Sequence, residues 1–254
     1  MPTEAFLNEA CTLVGDLGWS FYFVPTTAAR AEALDLDVFS FYAIGRGGVL
    51  GDVEPSVVVS AFGYFKPSIV EFLWNEGRSK VPPREAARQH LAAAHDFARA
   101  TFGGIEGLDR YCAAAEKVVR AAQGSLAAMA LFAGYAAEPL PDDAPAKALQ
   151  LTATLREFRG SAHLVALVAN GVDPKVAHYL RRPEMFSTFG WTDAEAPETS
   201  DADIEALAAA DELTDRLVAP AYDVLSSAEQ DDFLAGLRAM EAAIDAPIGV
   251  SEVA

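Results

Sequence analysis

The stretch from Leu155 to Leu180, LREFRGSAHLVALVANGVDPKVAHYL, constrains the fold more than any other part of the chain. It is strongly apolar, yet it carries Arg156, Arg159, Gly160 and His163. These stand at i, i+3, i+4 and i+7, so in a helix they share one face. Buried charge is costly unless it is paired. The stripe must therefore face a cavity, a partner chain or an internal network of ion pairs. In the last case Arg156 and Arg159 would pair with carboxylates from the first half of the chain and lock the two halves together.

Helical periodicity dominates elsewhere too. Phe6, Leu7, Ala10, Leu13 and Val14 make one apolar face from Glu4 to Leu17, which Gly18 ends. Thr26 or Thr27 is expected to cap a helix to about Leu34, and VFSFYAIGR reads as the next. Gly45 to Pro55, GRGGVLGDVEP, reads as a glycine-rich loop. It lacks the GK[ST] or GxGxxG of a phosphate-binding loop. Further helices are expected from Pro55, Ser68, Pro83, Leu108, Ser125, Lys175, Ile204 and Ala228. Val57 to Ser60 is the single strand candidate. The class is mainly α. PLPDDAP, Pro139 to Pro145, is the clearest breakpoint and divides the chain into helical halves, 1–138 and 139–254.

The halves echo one another weakly. Ala31 to Arg46 and Val165 to Arg181 each run helix, short turn, helix, and each is followed by an aromatic turn, Phe62-Gly-Tyr-Phe65 and Phe189-Gly-Trp191. Gly171 stands where such a turn needs a left-handed residue. The expectation is an internally duplicated, helix-turn-helix-derived pseudo-dimer.

Charge argues against nucleic acid. The chain has 19 Lys and Arg against 37 Asp and Glu, a formal net charge of −18. Affinity for DNA comes largely from phosphate neutralisation by basic residues. Asp193 to Asp215 contains no basic residue at all. No apolar run reaches the ~20 residues of a membrane span. No basic region precedes an apolar stretch at the N-terminus, so the sequence predicts no signal peptide, no membrane partner and a cytoplasmic location. Cys11 and Cys112 read as small core residues.

The candidate site residues are Arg46, Arg156, Arg159 and His163 as a polar wall, with Tyr22, Tyr64 and Trp191 from the aromatic clusters beside turns. Arginines can hold a carboxylate or phosphate, and His163 can serve as a base, a hydrogen-bond partner or an axial ligand. Arg46 is expected in the glycine-rich loop. His90 and His95 point apart on a helix and cannot share a metal alone. His178 reads as an interfacial histidine. Ser68, Ser125 and Ser161 have no base in sequence reach.

The motif RExRGxxHxxALVxxGxD, Arg156 to Asp173, resembles that of an actinobacterial family of uncharacterised helix-turn-helix proteins whose members lie near specialised-metabolism genes. FYAIGRGGVLGDVEPSVVVSAF, PLPDDAP and TDRLVAPAYDVL, Thr214 to Leu225, resemble further segments of that family. The resemblance implies a MarR-like winged-helix scaffold in the C-terminal half. The acidic stretch between Trp191 and Thr214 stands where the family carries another helix and a wing. Phe158, Ser161 and Phe62 to Phe65 also depart from its pattern. The expected function is a small-molecule-binding protein without DNA binding, its ligand between the halves. The alternatives are a repurposed enzyme, with a cofactor such as haem on His163, and a transcriptional regulator. A homodimer is compatible with each.

Overall fold

The computed structural model describes residues 2–244. Within them the chain is all-helical, with twelve α-helices, four short 3-10 helices and no strand. In chain order the helices are α1 (Glu4–Leu17), α2 (Pro25–Glu32), α3 (Val38–Gly47), α4 (Pro55–Phe62), α5 (Pro67–Lys80), α6 (Pro83–Phe102), α7 (Leu108–Ala122), α8 (Ala130–Ala136), α9 (Ala144–Ala169), α10 (Pro174–Arg181), α11 (Asp201–Tyr222) and α12 (Ser227–Ala242). Five of them open on a proline, where the missing N–H is no loss and φ is already helical. Side-chain caps start others. Asp37 accepts from Phe39 N and Ser40 N at 2.9 and 3.0 Å, and Ser226 forms a reciprocal capping box with Glu229.

Helix α9 is the axis of the molecule. It spans 26 residues and packs against α1, α6, α7, α8 and α11. From Ala148 to Leu155 every residue is buried, so this part is enclosed on all sides. Its polar groups are paired. Thr152 Oγ1 donates to Ala148 O at 2.7 Å, which leaves the Tyr111 hydroxyl to donate to Thr152. Gln150 Nε2 donates to Pro139 O at 3.1 Å, and Gln150 Oε1 meets His95 Nε2 at 2.7 Å. One large core runs from Phe6 to Met240 and draws side chains from both sides of the proline breakpoint. A small second core joins the end of α9 to α10 and α11 through Ala166, Leu167, Val172, Ala177, Leu207 and Ala210. Gly171, in the turn between α9 and α10, has φ +69°.

Several local expectations are corrected. Gly45 to Gly47 belong to α3 and Gly48–Leu50 form a 3-10 turn, so the glycine-rich segment is helical and only 51–54 is loop. These glycines serve close packing. A Cβ at Gly45 would stand 2.7 Å from His90 Cβ, and one at Gly48 2.0 Å from the Pro83 carbonyl oxygen. Val57 to Ser60 is helix within α4. Helix α2 starts at Pro25 without a side-chain cap, and Thr27 Oγ1 instead donates to Phe21 O at 2.6 Å. The helix expected from Ser125 begins at Ala130.

The two aromatic turns meet. Phe65 stacks on Phe189 with ring centroids 4.1 Å apart, and Lys66 N donates to Phe189 O at 2.9 Å. Trp191 Nε1 donates to Tyr64 O at 3.0 Å. The turns pivot on Gly63 and Gly190, both at positive φ.

Candidate functional site

The polar stripe of α9 faces a cavity of about 580 Å3. Its walls are α1, α3, the turn after α4, α9 and α10, with Phe189 and Asp215 closing the rim. Arg46, Arg156, Arg159, His163 and Tyr64 all line it. Tyr22 and Trp191 do not, and each stands behind a residue that does. Arg156 Nη1 donates to the Tyr22 hydroxyl at 3.4 Å, and the Trp191 indole is bonded to the Tyr64 carbonyl.

Arg46 is not on a loop. It lies in the last turn of α3 and is 8% exposed, which makes it a core arginine. Its Nε and Nη2 donate to Glu157 Oε1 and Oε2 at 2.9 and 2.7 Å, and its Nη1 donates to the Tyr42 hydroxyl at 3.0 Å. The guanidinium also lies 4.4 Å from the Phe62 ring centroid. Arg156 Nη1 donates to Glu157 Oε1 at 3.0 Å. Burial disfavours the Glu157 carboxylate, and the two guanidiniums more than offset it, holding its pKa below the usual range. The network thus differs from the expected one: its acid is on α9 and its key arginine comes from the first half. Arg159 pairs with Asp215 of α11, in the second half, through a long contact of 3.4 Å.

The remaining polar atoms are less engaged. Arg159 Nε is buried and has no hydrogen-bond partner among the described residues. His163 Nδ1 lies 2.8 Å from Thr214 Oγ1, and that hydroxyl already donates to Ala210 O at 2.7 Å. Thr214 must therefore accept, so Nδ1 carries the imidazole proton and Nε2 is left with a bare lone pair. Burial, then Arg159 and Arg181, push the His163 pKa down to about 4, which keeps the ring neutral at pH 7. His178 is 7% exposed and its Nε2 is buried without a partner. Burial lowers its pKa as well. The two imidazoles flank Tyr64, each with its ring 6.3 Å away.

Two glycines keep the cavity open. A Cβ at Gly15 on α1 or at Gly160 on α9 would meet nothing within 4 Å, and both residues line the cavity. Glycine inside a helix costs about 1 kcal/mol relative to alanine. The empty space beside each therefore leaves volume where a side chain would have been stabilising. Trp19, Tyr42, Phe62, Phe65 and Phe189 supply aromatic surface.

The electrostatics are local and opposite to the whole. Five arginines and three acids line the cavity, in a chain of net charge −18. His90, by contrast, lies in the core against Phe21, Tyr22 and Phe41, and burial drives its pKa down to about 3. Among the described residues no three His, Cys, Asp or Glu side chains are grouped to hold a metal ion. Both cysteines are free and buried, and burial raises Cys11, on the cavity wall, to about 11.

Compared with known families, residues 8–250 match a helix-turn-helix family. The chain belongs to this family. No curated protein and no solved structure matches the chain. For a helix-turn-helix protein the exposed second helix is the first place to look for a nucleic-acid contact. Here α9, the Gly171 turn and α10 have that layout. On α10, Lys175 rests on the Trp191 ring at 4.5 Å and Arg181 is paired with Asp211 of α11. Among the described residues no helix is long and apolar enough to cross a membrane.

The sequence pointed to the stripe but not to most of its surroundings. Glu157, which the sequence groups with the stripe although i and i+1 do not face each other on a helix, is the centre of the network, and Arg156 Nη1 reaches it at 3.0 Å. Tyr42, Phe62, His178 and Arg182 reach the cavity only through tertiary packing. Gly15 was the available signal: a glycine inside a strongly periodic helix, one residue beyond an apolar position.

Proposed function

We propose that this helix-turn-helix family member is a small-molecule-binding protein whose ligand occupies the cavity between its halves, 1–138 and 139–254. The observation that carries the reading is the composition of the cavity wall. Five arginines, two neutral histidines and several aromatic rings converge on a space kept open by Gly15 and Gly160, and Arg159 Nε and His178 Nε2 are buried there without a partner among the described residues. Buried polar groups without partners are rare in folded proteins, and a ligand is one way to satisfy them. The excess of positive lining favours an anionic ligand. The echo between the halves and the meeting of their aromatic turns support an origin by internal duplication. The absence of any strand between Arg182 and Asp201 and the acidity of α11 speak against a DNA-binding wing in this chain.

Ligand-observed NMR with a mixed fragment set tests this reading. Fragments should bind the wild-type chain and lose their signal in Gly160→Phe, which fills the cavity from its own wall. Equal binding by both proteins would place the fragments elsewhere.

A second reading, a transcriptional regulator, rests on the family, on Lys175 in the first turn of α10 and on Arg181 and Arg182 at its exposed C-terminal end. It calls for sequence-specific binding to DNA that weakens steeply between low and moderate salt. A third, an enzyme with haem on His163, calls for a Soret band on adding haemin.

A further inference from the structure

The hydrogen-bonding capacity left over in the cavity narrows the ligand class, given that the cavity is a ligand site at all. Arg46 has all three of its side-chain nitrogens committed, to Glu157 and Tyr42. Arg159 has one long contact to Asp215 and lies beside the Cys11 thiol, and its buried Nε has no hydrogen-bond partner among the described residues. Arg159, its side chain 32% exposed, is therefore the arginine of the α9 stripe with a buried donor still to satisfy. One acceptor is defined by geometry, and a second follows if the His178 proton is on Nδ1, towards the Met185 backbone. His163 is fixed by Thr214 with Nε2 bare, and His178 Nε2 is buried and unpartnered. A neutral imidazole nitrogen without a proton accepts and cannot donate. It repays a hydroxyl or N–H on the ligand and offers nothing to a second carboxylate. Arg159 already shares its charge with Asp215, so at this donor a single carboxylate is better matched than a dianion. Tyr64 between the two imidazoles, with Phe65 stacked on Phe189 beside it, presents flat apolar surface.

We infer that the ligand is an aromatic carboxylic acid carrying a second donor, a hydroxyl or N–H, with its carboxylate on Arg159 and its donor on Nε2 of His163 or His178. The anion and the donor lie on different parts of the ligand, because the arginine donor and the imidazole acceptors are different groups of the wall. A plain hydrophobic molecule would leave all three unpaired, and desolvating polar groups without replacement partners weakens binding.

The test is calorimetric titration of the full chain with four probes of one size: 6-hydroxy-2-naphthoate, 2-naphthoate, 2-naphthol and 2-naphthyl phosphate. The hydroxy acid should bind tightest. Losing the hydroxyl or the carboxylate should each weaken binding by about tenfold or more, the worth of one hydrogen bond involving a charged or buried group. Arg159→Met should bring the hydroxy acid down to the level of 2-naphthol. His163→Phe should erase the preference for hydroxy acid over acid while keeping that for acid over naphthol, a split that general loosening of the fold would not produce. The wild-type series carries the test by itself should either variant fold poorly. If 2-naphthol binds as tightly as the hydroxy acid, or the phosphate outranks both acids, the proposed class is wrong. If 2-naphthol alone binds and Gly160→Phe abolishes it, the acid assignment falls and the cavity still stands as a ligand site. If none of the four binds at millimolar concentration, the ligand class and the cavity reading fall together.

Discussion

Arg46 and Glu157, 111 positions apart in sequence, are joined by two parallel hydrogen bonds of 2.9 and 2.7 Å with both side chains almost wholly buried. The pair ties α3 to α9, and Arg156 and Tyr42 complete its partners. Removing one member of a buried pair strands the other charge, which typically costs about 3–5 kcal/mol. Glu157→Gln and Arg46→Met should each destabilise by about that amount in urea unfolding, and the double variant by clearly less than their sum. Single losses below ~1 kcal/mol would mean that water reaches the pair and screens it.

Gly15 and Gly160 should behave unlike ordinary packing glycines. Since a Cβ meets nothing at either, Gly15→Ala and Gly160→Ala should raise stability by about 0.5–1 kcal/mol each through helix propensity. Both should weaken ligand binding, because each takes volume from the cavity. Thermal unfolding checks the first effect. A loss of stability would show that the space is filled by protein.

Gly48 is the contrast. An added Cβ would sit 2.0 Å from the Pro83 backbone carbonyl oxygen, and a backbone cannot swing away as a side-chain tip can. Gly48→Ala should cost at least ~2 kcal/mol, at the upper end for overpacking. A near-neutral result in the same unfolding assay would show that α3 and α6 can slide apart.

All four histidines have pKa values below the ordinary 6.5, with burial the first cause in each. The unfolded chain therefore takes up protons before the folded one. Stability is full above about pH 6.5 and is lost as pH falls, for His163 down to about 4 and for His90 down to about 3. Each contributes up to about 1.4 kcal/mol per pH unit within its window. His90 has neither ring nitrogen hydrogen-bonded and faces Phe21, Tyr22 and Phe41, with Arg46 and Glu157 the nearest charges acting on it. His90→Leu should flatten the fall in stability between pH 6.5 and 4.5 and leave the pH 7.5 value equal or higher. An unchanged acid limb would assign the slope to the carboxylates instead.

The helix starts at Pro55, Pro83 and Leu108 were legible because their signals are local, whereas those of α2 and α8 were misplaced. Proline at the first helical position acts within one turn of chain. The glycine-rich segment at Gly45 misled because the same residue serves loops and close helix contacts. Only the packing of α3 on His90 and Pro83 distinguishes the two. The stripe of Arg156, Arg159, Gly160 and His163 was readable from spacing alone. That Arg46 would reach Glu157 was not, since nothing in either segment encodes the crossing of α3 and α9. Trp191 and Tyr22 were marked as aromatics beside turns and do lie near the cavity, one layer back, where they hold Tyr64 and Arg156.

Native mass spectrometry on the protein gently purified from cells that naturally produce it, beside the Gly160→Phe variant, tests the central claim most directly. The account expects a bound organic anion of a few hundred daltons on the wild-type chain and none on the variant. A clean unliganded mass for both proteins, or the same adduct on both, would contradict it and leave the arginines as a purely structural network.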